Sequence, residues 1–112
     1  MNTENPPQNP LVVDLPSKQA EIAAELRKLN ETLSENPTRD VIIDFSKVEI
    51  ITSASLSNLL ILRNLLAEHN HSLILSNVSV MTKCIFTVAG LDKVFDFAAD
   101  KTDALAAVHK PG

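Results

Sequence analysis

The spacing of apolar positions changes several times along the chain, and each change marks the start of a new element. Leu11 to Leu15 (LVVDL) is a short β-branched run closed by Pro16, which suits a strand ending in a turn. From Ser17 the period becomes helical: Ile22, Leu26, Leu29 and Leu33 share one face, while Glu21, Glu25, Lys28 and Glu31 take the other. Ser17 is the expected N-cap and Asn36-Pro37 the expected stop. Val41 to Phe45 (VIIDF) is too short for a helix and rich in β-branched residues, so it reads as a central strand covered on both faces.

After Lys47 to Ile51 comes TSAS, and then a broad apolar face of Leu56, Leu59, Leu60, Leu62 and Leu66 predicts a helix over Leu56 to Asn70. Ser72 to Val78 (SLILSNV) reads as a strand, and Ser79 opens a third helix in which Val80, Cys84 and Val88 fall on one stripe. That stripe is expected to be core, with Cys84 as buried filler. Gly90, just past it, suits the left-handed residue that ends a helix. Val94 to Ala98 alternates around Asp96 as a strand with one wetter face, and Thr102 is placed to cap a last helix through Val108. The order β-α-β-α-β-α-β-α predicts an α/β domain with a mostly parallel sheet of four or five strands. Right-handed crossovers between neighbouring strands then gather the helices mainly on one side.

A length of 112 residues fits one domain, with 45% hydrophobic and 21% charged residues as in an ordinary folded protein. Residues 1–10 (MNTENPPQNP) have nothing to bury and read as a disordered tail, leaving 11–112 as the folded unit. A net charge of -4 opposes a phosphate backbone, so no nucleic-acid partner is expected. The prolines of the first ten residues rule against a secretory leader, and no apolar run reaches about 18 residues. A cytoplasmic protein with no direct membrane insertion is the expectation. There is no GxGxxG, Walker or HExxH pattern and no nucleophile-base pair, so neither a catalytic residue nor a cofactor is expected. His69 and His71 lie two apart in a polar turn, a spacing that does not place both on one helical face, so no metal site is expected there.

The stretch Asp40 to Leu60 (DVIIDFSKVEIITSASLSNLL) resembles the STAS domain pattern: an apolar strand ending in Asp-Leu-Ser, a short apolar bridge, then Asp-Ser-Ser-Gly-Leu opening a helix. Downstream, Leu73 to Phe95 (LILSNVSVMTKCIFTVAGLDKVF) is similar to the family's strand, its Asn-Val-Ser helix start and its Thr-Gly-Leu-Asp-Lys-Leu-Phe close. The resemblance implies a bacterial anti-sigma-factor antagonist: a non-enzymatic regulator that binds a serine-kinase anti-sigma factor or related signalling kinase. In such antagonists the kinase phosphorylates the serine matching Ser53 and breaks the complex, and a PP2C-type phosphatase restores it. Thr52 is the alternative phosphoacceptor. The resemblance further implies partner contacts at Asp14, Asp44, Thr52, Ser53, Ser55 and Ser57, and the helical wheel, which turns Ile61 and Leu65 away from the main leucine stripe, adds Ile61 as an exposed apolar contact for a partner or a second copy.

The chain departs from that pattern at Thr52, where the family has Asp, at Ala54, where it often has Ser, and at Ser55, where it has Gly. Only one clear strand precedes the first helix, where the family usually has a hairpin. The Ser53-Ala54 pair is also similar to the Asp-Thr-Ala-Gly motif of STAS accessory subunits in ABC-type lipid transporters, which bind the ATPase; that is the alternative function. Competing with these roles are plain structural ones. Thr52 or Ser53 can serve solely as helix cap, Asp14 and Asp44 can be solvated strand ends, and Ile61 and Leu65, four apart and off the main leucine stripe, can be core contacts.

Overall fold

The computed structural model describes residues 9–34 and 37–108. Residues 1–8 of the expected tail, and Asn36 of the expected helix stop, lie outside the described residues. The elements follow the alternating order: β1 (Leu11–Asp14), α1 (Gln19–Leu33), β2 (Val41–Asp44), α2 (Ser53–Glu68), β3 (Leu73–Ser76), α3 (Val80–Val88), β4 (Asp96–Ala98) and α4 (Lys101–Val108). The four strands form one sheet in the order β1-β2-β3-β4, and every pair is parallel.

Strand periodicity sorts the side chains into two cores. Val41, Ile43 and Phe45, with Leu73 and Leu75, face one side, where they meet Ile22 and Leu26 of α1, Leu59, Leu62 and Leu66 of α2, and Phe86 of α3. Ile42 and Ile74 face the other side and meet only Ala104 of α4 in the buried cluster there. The first three helices therefore share a face because each links adjacent parallel strands by a crossover of one hand. α4 is free of that rule, since no strand follows it among the described residues, and it closes the opposite face. Both central strands are buried at every position, which explains their unbroken apolar runs.

Helix ends follow from local chemistry. Ser79 Oγ accepts a hydrogen bond from Thr82 N at 3.1 Å and caps α3. At its other end Gly90 has φ +76°, and bonds from Gly90 N to Thr87 O and Leu91 N to Phe86 O complete a Schellman turn. Asn70 (φ +63°) plays the same part after α2, with His71 N donating to Leu66 O at 2.8 Å. Among the described residues no helix is long and apolar enough to cross a membrane.

Three expectations are corrected. The N-cap position of α1 is Lys18 rather than Ser17, and no side chain caps it. Asp100, not Thr102, caps α4, its Oδ1 accepting from Asp103 N at 2.9 Å; Thr102 lies inside the first turn. The stripe Val80, Cys84 and Val88 is solvent-facing, with Cys84 exposed and Val80 and Val88 at 80% and 88% exposure. Thr82 and Phe86 are the residues that α3 buries. Its sequence VMTKCIFTV is apolar on most of its circumference, so periodicity alone leaves its rotation undetermined.

Candidate functional site

The carboxyl ends of the strands form a row in which Asp14 pairs with Asp44 and Asp44 with Ser76. Two aspartates side by side repel, so each needs its own partner. Asp14 is exposed and ion-paired to Lys101 Nζ of α4 at 2.8 Å. The hydrogen bond that Lys101 donates to Asp14 holds its ammonium above its ordinary pKa. Asp44 is only 2% exposed. One of its oxygens accepts from Ser46 N and Ser46 Oγ, and the other from Ser76 Oγ at 3.0 Å and Asn77 Nδ2. Burial pushes the Asp44 carboxyl up, but the bonds from Asn77, Ser46 and Ser76 together outweigh it and hold the carboxyl below its usual range. Asn77 reaches the carboxylate from a left-handed backbone, φ +55°, a conformation asparagine tolerates better than most residues. The expectation of a solvated strand end is thus corrected for Asp44: its carboxylate is spent inside the fold and offers no surface to a partner.

From Phe45 the chain turns back on itself, with Val48 N donating to Phe45 O at 2.9 Å, and then anchors Val48 and Ile51 in the core. Thr82 Oγ1 of α3 donates to Glu49 O at 3.2 Å and clips this connection in place. The result is a fixed start for α2. Thr52 Oγ1 accepts from Ser55 N at 3.3 Å and caps the helix, so Ser53, its first residue, is exposed and takes no part in the cap. Thr52 itself is half-buried.

Ser57 and Ile61 follow Ser53 at intervals of four, and all three are exposed, forming one outward stripe along α2 with Ile61 at 55% exposure. Leu65, the next position at that spacing, is half-buried. Ser55 is a further correction. At 1% exposure it faces inward beneath Thr52, whose hydroxyl donates to Ser55 Oγ at 3.4 Å, so its Cβ lies away from any docking partner. His69 and His71 do not converge: His69 Nδ1 lies 3.0 Å from Leu65 O, and His71 Nδ1 lies 3.4 Å from Asp40 Oδ1.

Outside this stripe lies an apolar feature of α3. Ile50, three residues before Ser53, joins Met81, Cys84, Ile85, Val88 and Ala89 in lining an apolar groove of about 410 Å³. Its sequence signal is the Val80-Cys84-Val88 stripe, which faces solvent and not the core. A separate cleft of about 460 Å³, between the end of β1 and α1, has Asp14, Glu21, Glu25, Lys28 and Lys47 on its walls, a mixture of both charges with no nucleophile beside a base.

The STAS domain family model matches residues 19–104 of this chain. No curated protein sequence matches it. Among solved structures, a sulfate transporter family protein from Wolinella succinogenes has a TM-score of 0.76 at 16% identity, covering 95% of this chain and 89% of its own. A serine-to-glutamate variant of RsbS from Moorella thermoacetica has a TM-score of 0.74 at 16% identity, covering 88% and 86%. A candidate anti-sigma factor antagonist from Thermotoga maritima has a TM-score of 0.74 at 12% identity, covering 87% and 82%. At these identities the likeness is one of fold.

Two outcomes follow from the geometry. Thr52→Ala removes the cap and should cost about 1 kcal/mol in urea unfolding, whereas Ser53→Ala should change stability by less than about 0.5 kcal/mol. Equal losses at both positions would mean that Ser53 shares the cap. Asp44→Asn should cost about 1–3 kcal/mol at pH 7 by leaving buried donors without an acceptor. Because the folded Asp44 carboxyl titrates below its unfolded value, its contribution is complete above about pH 4 and is lost as the pH falls through the folded value. The gap between the natural chain and Asp44→Asn should therefore narrow at pH 3, and a gap unchanged with pH would remove the charge from the explanation.

Proposed function

The chain belongs to the STAS domain family, and from that premise we propose that it is a bacterial, cytoplasmic, non-enzymatic regulator that docks a protein partner across the start of α2 and is switched by phosphorylation of Ser53. The partner in this reading is a serine-kinase anti-sigma factor or a related signalling kinase, with a PP2C-type phosphatase resetting the switch. The observation that carries it is the division of labour between two adjacent hydroxyls. Thr52 caps α2 by accepting from Ser55 N, and Ser53 is exposed with no capping duty.

That arrangement makes Ser53 chemically suited to a reversible charge. A phosphate on the first residue of a helix gains nearby backbone N–H donors and a favourable dipole, so the modified chain remains folded. The same phosphate adds nearly two negative charges next to Ser57 and on the face that carries Ile61, where a docked partner would have to strip it of water. Affinity changes, and the fold does not.

The departures from the family pattern fit this reading. Threonine caps a helix much as aspartate does, so Thr52 keeps the start of α2 while removing a like charge next to the phosphoacceptor. The additional side chain at Ser55 is directed into the protein. Asp14 lies at the same edge of the sheet and is exposed, but its carboxylate is engaged with Lys101, so its contact with a partner would have to displace or share that ion pair.

The test is the intact mass and phosphosite map of the chain purified from its own host, beside Ser53→Ala, with co-purifying proteins identified. The expected result is a phosphate on Ser53 that is absent from Ser53→Ala, and a kinase-like partner bound mainly to the unmodified form. Phosphate on Thr52 would move the switch by one residue. An unmodified chain bound to a transport ATPase would establish the alternative accessory-subunit role, and an unmodified chain without a partner would overturn the reading.

A further inference from the structure

We propose that α4 opens as a unit from the second face of the sheet, and that Asp14, at the carboxyl edge, sets how often it does so. Of the residues of α4, Ala104 alone is buried. Beneath it lie Ile42 and Ile74, with Ala98 and Val108 half-buried beside them, and the second core cluster holds nothing else among the described residues. Leu105, the largest apolar side chain of the helix, is 39% exposed. α2, by contrast, buries Leu59, Leu62 and Leu66. Apolar anchoring scales with the area removed from water, and elements that bury little are the ones that open without global unfolding.

The placement of α4 lets it leave without undoing the sheet. It packs on β2, β3 and β4 but not on β1. Val12 of β1, in register with Ile42 and on the same side of the sheet, is accordingly left 40% exposed. The strands are hydrogen-bonded to one another in the order β1-β2-β3-β4, and no strand pairing runs through α4. Its departure uncovers Ile42 and Ile74 and extends an apolar strip that begins at Val12.

A single polar link reaches from α4 to the strand it does not cover. Lys101 Nζ meets Asp14 Oδ1 at 2.8 Å, and among the described residues no other ion pair or side-chain hydrogen bond joins α4 to the sheet. Asp14 stands in register with Asp44, so the tether of the helix on one face ends at the carboxyl edge of the sheet. A cationic or hydrogen-bond-donating group that takes Asp14 releases Lys101, and an open α4 in turn leaves Asp14 free. Each event favours the other by the same factor. The two side chains are 46% and 56% exposed, which makes that factor small and sensitive to salt.

Phosphorylation plays no part in this opening, and the test uses the unmodified chain alone, so failure of the Ser53 switch leaves it standing. Native-state hydrogen exchange in low urea should show residues 104–108 exchanging about tenfold or more faster than β2 and β3, with a weaker dependence on urea. Across a cycle of Asp14→Asn, Lys101→Ala and both together, the pair should account for about a two- to fivefold factor in the exchange of residues 104–108. The same factor should appear in β2 and β3, because local and global opening alike break the pair. NaCl at about 0.5 M should erase most of it. Residues 104–108 that exchange no faster than β2 and β3 at every urea concentration overturn the proposal, since α4 then leaves only with the whole fold. A coupling factor of one at residues 104–108 overturns the part given to Asp14, the tether then having no hold on the opening.

Discussion

Asp44 is a carboxylate buried at the carboxyl end of the central strand β2, and the shape of the functional edge follows from how its charge is satisfied. A charge placed there without partners would cost several kcal/mol. Ser46, Ser76 and Asn77 supply the donors, and in doing so they fix the turn after β2 and the turn after β3 at once. With both turns fixed, Val48 and Ile51 enter the core, Thr82 reaches Glu49, and the first residue of α2 has only one place to stand. The neighbouring Asp14, left outside, is neutralised by Lys101 from the helix that closes the other face of the sheet.

The edge built in this way has a buried polar layer and an exposed one that do different jobs. Asp44 and Ser55 face inward and hold geometry, while Ser53, Ser57 and Ile61 face outward along α2. Ile50 and α3 line a separate apolar groove. Ser53 is exposed and outside the cap, so in the proposed function a charge added there would alter what binds without loosening what folds.

Much of the fold was legible in the residues. VIIDF announced a central strand and SLILSNV a strand, because parallel strands are buried on both faces and need no alternation. Gly90 declared its turn because few other residues take a left-handed backbone, although Asn70 and Asn77 do so here without having been anticipated. What remained hidden depended on rotation and depth. α3 is apolar over most of its surface, so the face that meets the core is decided by Phe86 packing against Phe95 and Phe97 in edge-on contacts 5.3 Å between ring centres, which sequence spacing does not reveal. Asp44 and Ser55 are candidates for partner contact through the family resemblance, which carries no information on depth. Their burial became evident only with Asn77, more than thirty residues away, donating to one and the Thr52 cap folding over the other.

The most direct measurement compares the Ser53-phosphorylated chain with the unmodified one in two assays on the same samples, urea unfolding and partner affinity. If the switch acts through the surface, phosphorylation leaves stability unchanged or raises it by up to about 1 kcal/mol, while affinity for the partner falls at least tenfold. A loss of stability that accompanies the loss of affinity would contradict the separation of Ser53 from the cap and return its hydroxyl to the fold.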